Sequence, residues 1–353
     1  MNFTLSDEQL QIRELAAGLF ADFSHETRAA ELAAHGWDGA LWAQLQETGL
    51  TALMLPAEVG GAELGVTELA LVLQEQGRFL AAAPLWRHAL AAAALARYAP
   101  AQLDALDSSA PLALSLETRL KGRIEGQQLW LSGSVPVLAV TPKSTHALLA
   151  LQVDGHAALV LAELALFEKE AGTLMQGERA LVLTADGFAV PLAQLLPAEA
   201  HDWLTPRAVA CIAALQLGVA EGAQAITVSH LSEREQFGRK LGSFQAVAQR
   251  MADGFIALEA LRSVLLQLVW RLDAGIDAGS AVAVTKYWAC EAGNRIAHSA
   301  QHLHGGTGSD TSYPVHRFYL AARVLEIELG GAAAQIEALA ARVSDNTLWG
   351  DAA

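Results

Sequence analysis

The 353-residue chain is 53% hydrophobic and only 17% charged, and its 38 acidic against 23 basic side chains give a formal net charge of −15. That length exceeds the usual ceiling for a single core, so two or three packed units are expected, and the apolar composition excludes disorder. The acidic balance, with no basic stripe to neutralise phosphates, argues against nucleic acid or an anionic membrane surface as a partner.

Residues 1–108 read as helices. Ser6, followed by Glu8 and Gln9 and then by Leu10, Ile12, Leu15 and Phe20, has the form of a capped amphipathic start. The opening MNFTLSDEQLQIRELAAGLF lacks the cationic start and apolar block of a signal peptide. No stretch offers the roughly 18 uninterrupted apolar residues of a membrane span. The two cysteines, Cys211 and Cys290, lie in alanine-rich helical patterns and are too few for a disulfide framework or a zinc site, so a cytoplasmic location is expected. Trp42, Leu45, Leu50, Leu53 and Leu55 continue the apolar pattern until Pro56, Gly60 and Gly61 interrupt it with a loop. ELALVLQEQGRFL then reads as a long helix.

The character changes near Asp107. Over residues 109–200, short apolar runs such as GQQLWLSG, HALLALQV and AALVLAEL alternate with Gly, Pro, Asp and Ser, which predicts an antiparallel sheet. Runs this short are also compatible with buried helix. Over residues 201–353 the helical period returns, with Thr205-Pro206 as a helix start and three long segments suited to a bundle. The chain therefore reads as three domains, 1–108, 109–200 and 201–353. Its eight tryptophans are scattered and suit core and interface positions.

Two stretches carry chemistry. REQFGRKLGSFQ, between two long helices, concentrates Arg234, Arg239 and Lys240 with Phe237 and Phe244. Arginine suits a pyrophosphate through its planar, bidentate fork, although a solvated interhelix loop has the same composition. QHLHGGTGSDTSYP places Gly305, Gly306 and Gly308 at a helix end, where exposed backbone N–H groups can hold an anion or simply close a turn. His298 and His302 lie four apart, but no third ligand has the right spacing, so no metal site is predicted.

Together these stretches resemble the acyl-CoA dehydrogenase family. Its Arg-x-x-Phe-Gly motif followed by Phe-Gln stands here as Arg234, Phe237, Gly238, Phe244 and Gln245. Its Gln-x-x-x-Gly-Gly-x-Gly motif followed by Tyr-Pro stands as Gln301, Gly305, Gly306, Gly308, Tyr313 and Pro314. LSDEQLQIRELA and GLTALMLPAEVGGAELGVTELALVLQEQGR resemble its N-terminal half, so the likeness spans nearly the whole chain in order. The resemblance implies a mostly α fold with an N-terminal helical domain, a middle antiparallel β domain and a C-terminal four-helix bundle. It also implies FAD shared between neighbouring subunits of a tetramer. Arg234, Gln236, Phe237 and Gln245 would contact the cofactor bound mostly by one subunit, and Gln301, Gly305 and Gly306 would approach it from the partner. Arg207, twenty-seven positions before Arg234, matches a family arginine beside the acyl-CoA thioester chain, or is a plain helix-start arginine. Electron-transferring flavoprotein is the acceptor that the family implies.

The family's α-proton base is a glutamate in one of two places. Carried from Tyr313-Pro314 without a gap, the first place falls in LEIELGG on Leu329. Glu328 comes one residue early, an offset that turns a helical side chain by roughly 100°. The second place, twenty-six positions before Arg234, is Ala208. SLETRLKGRIEGQQLWLSG also lacks the family's Thr-Glu-x-x-x-Gly-Ser loop, of which Glu117 is only an echo. These losses resemble the bacterial heterotetramers that act on steroid side-chain and related bulky acyl-CoA thioesters, in which a second acyl-CoA dehydrogenase subunit carries the base. Three readings stay open: such a companion subunit, a self-sufficient homo-oligomeric acyl-CoA dehydrogenase using Glu328, and a binding or assembly protein that has lost FAD.

Overall fold

The structure, a computed structural model, describes residues 3–24, 28, 32 and 36–344. Helices α1 (Asp7–Asp22), α2 (Gly39–Glu47), α3 (Val66–Phe79), α4 (Leu85–Tyr98) and α5 (Pro100–Asp104) come first. Strands β1 (Ala113–Ser115), β2 (Lys121–Glu125), β3 (Gln128–Ala139), β4 (His146–Val153), β5 (His156–Glu163), β6 (Glu168–Thr173) and β7 (Arg179–Pro191) follow. Then come α6 (Glu199–Glu233), a hairpin of β8 (Glu235–Gln236) and β9 (Arg239–Lys240), α7 (Gln245–Asp273), α8 (Gly279–Leu303), α9 (Val315–Ile327) and α10 (Ala332–Ser344). The chain thus adopts the expected order of N-terminal helices, central sheet and C-terminal helical bundle. By contacts it forms two compact units, one from residues 1–28, 66–81 and 209–353, the other from 29–65 and 82–208.

In the first unit, Ser6 caps α1 through a capping box: Gln9 N–H donates to Ser6 Oγ at 3.2 Å, and Ser6 N–H donates to Gln9 Oε1 at 3.0 Å. The start of α3 is held by the last residue of α7, because the Asp273 carboxylate accepts from the Val66 and Thr67 N–H groups at 2.9 and 3.0 Å. A carboxylate there satisfies orphan donors and complements the positive end of the helix dipole. Helix α3 then lies directly on α6. A Cβ on Gly218 would sit 1.8 Å from the Gln74 carbonyl, so only glycine permits this backbone-to-backbone approach.

Two expectations need correction. Helix α6 begins at Glu199, so Pro206 lies inside it and Thr205-Pro206 is not its start. The proline has no N–H for the carbonyl of Asp202, one turn back, and Asp202 is an exposed residue on the surface of the helix. By length and composition α6 is also the one helix among the described residues able to cross a membrane, yet its apolar window is 78% buried inside the fold.

The second correction concerns the sheet. Four of its pairings are antiparallel, but β4 pairs in parallel with both β1, through Ala147–Leu149, and β2, through Gln152–Val153. The cause is that β1 and β2 are two pieces of one extended run, interrupted only at residues 116–120, so both pass β4 in the same direction. The apolar runs HALLALQV and AALVLAEL are strands β4 and β5, nearly continuously buried, with Leu149, Leu151 and Val160 packed against Leu129, Leu131 and Leu183. In the same unit Trp42 and Trp86 are buried core residues. The Trp42 Nε1–H donates to the Ser109 carbonyl at 3.1 Å, and His88 Nδ1 accepts from Leu112 N–H at 3.1 Å, which fixes the entry to β1. Burial lowers the His88 pKa to about 4, so the ring is a neutral acceptor.

Candidate cofactor and substrate site

REQFGRKLGSFQ folds as a tight hairpin. Glu235 pairs with Lys240 and Gln236 with Arg239, leaving Phe237 and Gly238 as the two turn residues, at φ 55° and 76°. Two positive φ values give the turn the twist that short hairpins favour, and glycine takes that conformation freely. Phenylalanine does not: the left-handed region costs a residue with a Cβ about 1–2 kcal/mol. Its ring is nonetheless 88% exposed. The Arg239 guanidinium lies 3.8 Å from the centre of the Phe244 ring, and Phe237 meets Phe244 edge-on at 6.2 Å. Arg234, Gln236 and Gln245 are all exposed on the same stretch. The hairpin thus displays cations, amides and a flat apolar ring to its surroundings at a backbone cost that packing does not repay.

The glycine stretch meets, within one chain, the end of the helix that leads into this hairpin. His230, one helical turn before Arg234, stacks on His304 with ring centres 4.3 Å apart and planes 28° from parallel. Its carbonyl accepts from Arg234 N–H at 2.8 Å. His304 closes α8 and immediately precedes Gly305 and Gly306, which are exposed in a short 3-10 turn that also contains Gly308. Gln301 Nε2–H donates to the Gly308 carbonyl, holding that turn against α8. The His230–His304 stack thus packs the helix that enters the Arg234 stretch against the end of the helix that carries Gln301. Neither histidine was singled out from sequence. Their signal was position, since each flanks a chemistry-bearing motif.

LEIELGG forms the end of α9 and the turn to α10. Glu326 is engaged: its carboxylate pairs with Arg323 and accepts from Asn294 Nδ2 at 3.4 Å. Glu328 ends the helix in extended conformation (φ −64°, ψ 129°) and is half-buried. Leu329 follows at φ 58° and Gly330 at φ 85°. Gln335 Nε2–H, from α10, donates to the Leu329 carbonyl at 3.2 Å. Beneath the turn sits Lys286 of α8, fully buried, whose ammonium donates to the Leu325 and Glu326 carbonyls at 3.0 and 2.9 Å and contacts Cys290 Sγ at 3.4 Å. A buried cation on the last carbonyls of a helix opposes the negative end of its dipole. Lys286 was legible as the lone charge in AVAVTKYWAC.

The remaining site positions lie in the second unit. Arg207 is in the third turn of α6, where its Nη1–H donates to the Trp203 carbonyl at 2.9 Å and its guanidinium covers the Trp203 ring at 4.3 Å. Arg97 lies 5.8 Å from the same ring, and Tyr98 meets it edge-on at 6.2 Å. Ala208 is fully buried. Glu117 is exposed in the 116–120 link between β1 and β2.

Residues 6–105 match the acyl-CoA dehydrogenase N-terminal domain and residues 207–344 the acyl-CoA dehydrogenase C-terminal domain. The chain is 33% identical to acyl-CoA dehydrogenase FadE27 of Mycobacterium tuberculosis over 339 residues, covering 88% of this chain and 89% of that protein. It belongs to the acyl-CoA dehydrogenase family. Among solved structures it resembles a chain of the Tcur3481–Tcur3483 steroid ACAD variant at 34% identity and TM-score 0.92, covering 98% of this chain and 99% of that one. It also resembles a chain of the ChsE4–ChsE5 complex from Mycobacterium tuberculosis at 31% identity and TM-score 0.92, with the same coverage.

Proposed function

We propose that the chain is the companion subunit of a two-component acyl-CoA dehydrogenase: it helps hold FAD and leaves α-proton abstraction to a carboxylate on another chain. The observation that carries this reading is Leu329. An α-proton beside a thioester is weakly acidic, so its base must be a close, desolvated carboxylate of raised pKa. At the expected place stands an aliphatic side chain, and at the alternative place, Ala208, a buried methyl. The neighbouring Glu326 is tied to Arg323 and Asn294. Likeness over almost the full length to chains of two complexes named as pairs supports the same reading.

The residues present fit FAD. Arg234 and Arg239 offer cations to a pyrophosphate, Phe237 offers a flat apolar surface, and Gln236, Gln245, Gln301, Gly305 and Gly306 offer amides and open backbone around the His230–His304 junction. When bound, FAD supplies hydride acceptance, while the protein supplies orientation. Arg207, seated on Trp203, is the residue this reading assigns to the acyl-CoA thioester, and a bulky steroid-type acyl group is the substrate class suggested by the first of those complexes. Electron-transferring flavoprotein is the acceptor, and the cytoplasm the setting. The three-domain division at residues 108 and 200 belongs to the same reading.

The test is to purify the chain alone and co-expressed with a family member bearing a glutamate at either base position. Acyl-CoA oxidation only in the pair is the expected result. A stable flavoprotein that oxidises acyl-CoA alone overturns the proposal. The half-buried Glu328 next to Leu329 favours a second reading, self-sufficiency, and Glu328→Gln decides it: unchanged turnover rejects that reading.

A further inference from the structure

His304 is 4% exposed, and its Nδ1 lies 2.8 Å from the Ala300 carbonyl. A carbonyl only accepts, so the neutral ring carries its proton on Nδ1 and presents Nε2 as a bare acceptor. Among the described residues that Nε2 is buried with no hydrogen-bond partner. Gln301, almost one turn earlier on α8, uses its amide N–H on the Gly308 carbonyl, and its Oε1 is a second buried acceptor without a partner. Burial lowers the His304 pKa and keeps the ring neutral, so Nε2 remains an acceptor rather than becoming a donor.

Leaving a buried acceptor unmet costs about 1–3 kcal/mol, and two in one turn point to a shared purpose. Ionised phosphate oxygens have no proton to give, so this pair does not suit them. It suits a hydroxyl or amino group, while the phosphates suit the cations of the adjoining hairpin, Arg234 and Arg239. The His304 ring is also fixed from the other side by the stack on His230, which leads directly into that hairpin.

We propose that His304 is a specificity-determining residue of the cofactor site, its Nε2 accepting a hydrogen bond from a hydroxyl or amino group of the dinucleotide beside Gln301 Oε1. The inference rests on the FAD reading above.

The experiment titrates FAD into flavin-free protein and follows flavin fluorescence, comparing wild type with His304→Phe and His304→Gln. Phenylalanine keeps a ring against His230 and offers no acceptor; the terminal oxygen of glutamine restores one near the reach of Nε2. We expect His304→Phe to bind about tenfold more weakly, the equivalent of ~1.4 kcal/mol, and His304→Gln to recover most of that loss. Equal affinity in wild type and His304→Phe overturns the inference, and so does a glutamine variant as weak as the phenylalanine one, which assigns the loss to packing. If His304→Phe fails to fold, His304→Asn replaces it, since asparagine keeps a donor for Ala300 but lacks the reach of Nε2. Wild type that binds no FAD, alone or co-expressed with a partner, overturns the FAD reading and this inference together; wild-type binding with unaltered variants overturns the inference alone.

Discussion

The hairpin at Arg234 and the turn at Leu329 solve the same local problem for opposite ends. Each holds a bulky residue in left-handed backbone, Phe237 at φ 55° and Leu329 at φ 58°, next to a glycine that takes the conformation freely. At the hairpin the strained residue is pushed outward, its ring almost wholly exposed among cations and amides. At the turn the strained residue is half-buried, and the chain around it is stitched down by Gln335 from one side and Lys286 from the other. An open surface rich in cations and amides lies on one element; a half-buried aliphatic turn lies on the other.

Lys286→Met should separate the two regions most sharply. It removes a fully buried ammonium and with it the donors to two helix-terminal carbonyls, for an expected loss of about 3 kcal/mol in urea unfolding. Hydrogen exchange should rise over residues 325–331 and stay unchanged over 234–245; a uniform rise would show that the two regions open together. Acidification should do the converse. Burial is the leading cause that lowers the pKa of both His230 and His304, with the neighbouring His304 and Arg234 adding to it at His230 and Glu233 opposing it. A histidine whose folded pKa is lowered contributes stability that is complete above its unfolded value near 6.5 and is lost as pH falls from there toward the folded value. Protection factors at the His230–His304 junction, taken relative to the slower intrinsic exchange at lower pH, should accordingly fall below about pH 6.5, before any change at the Leu329 turn.

How much of this was legible follows from how local each signal is. The Ser6 capping box is written in adjacent residues and the sequence displays it, whereas the Phe237-Gly238 turn was not legible, because phenylalanine does not signal left-handed backbone. Pro206 misled because a proline can sit inside a helix when the carbonyl it fails to serve is exposed, and the exposure of Asp202 is a tertiary fact. The parallel pairing of β1 and β2 with β4 depends on the path of residues 116–120, which no periodicity encodes. Leu329 was readable as an aliphatic residue where the resemblance expects a glutamate, but not as a left-handed one. The His230–His304 stack joins residues far apart in sequence, so only the packing of α6 against α8 could disclose that the helix entering one motif stretch meets the other stretch.

The smallest effect expected is also the most discriminating. Phe237→Asn converts the hairpin turn to Asn-Gly, the pair that tolerates two positive φ values best, and should stabilise the protein by roughly 1 kcal/mol. Leu329→Asn relieves the same kind of strain and should gain less, because part of the leucine side chain is buried and its burial is lost. Thermal melts should therefore rise for both, with Phe237→Asn ahead. FAD affinity should separate them: it should fall for Phe237→Asn, which removes the displayed ring, and hold for Leu329→Asn. If Phe237→Asn melts higher with its flavin affinity intact, the exposed aromatic has no binding role, and the hairpin is merely a strained turn like the one at Leu329. If Leu329→Asn weakens flavin, the closed turn is part of the open surface and the contrast between the two regions collapses.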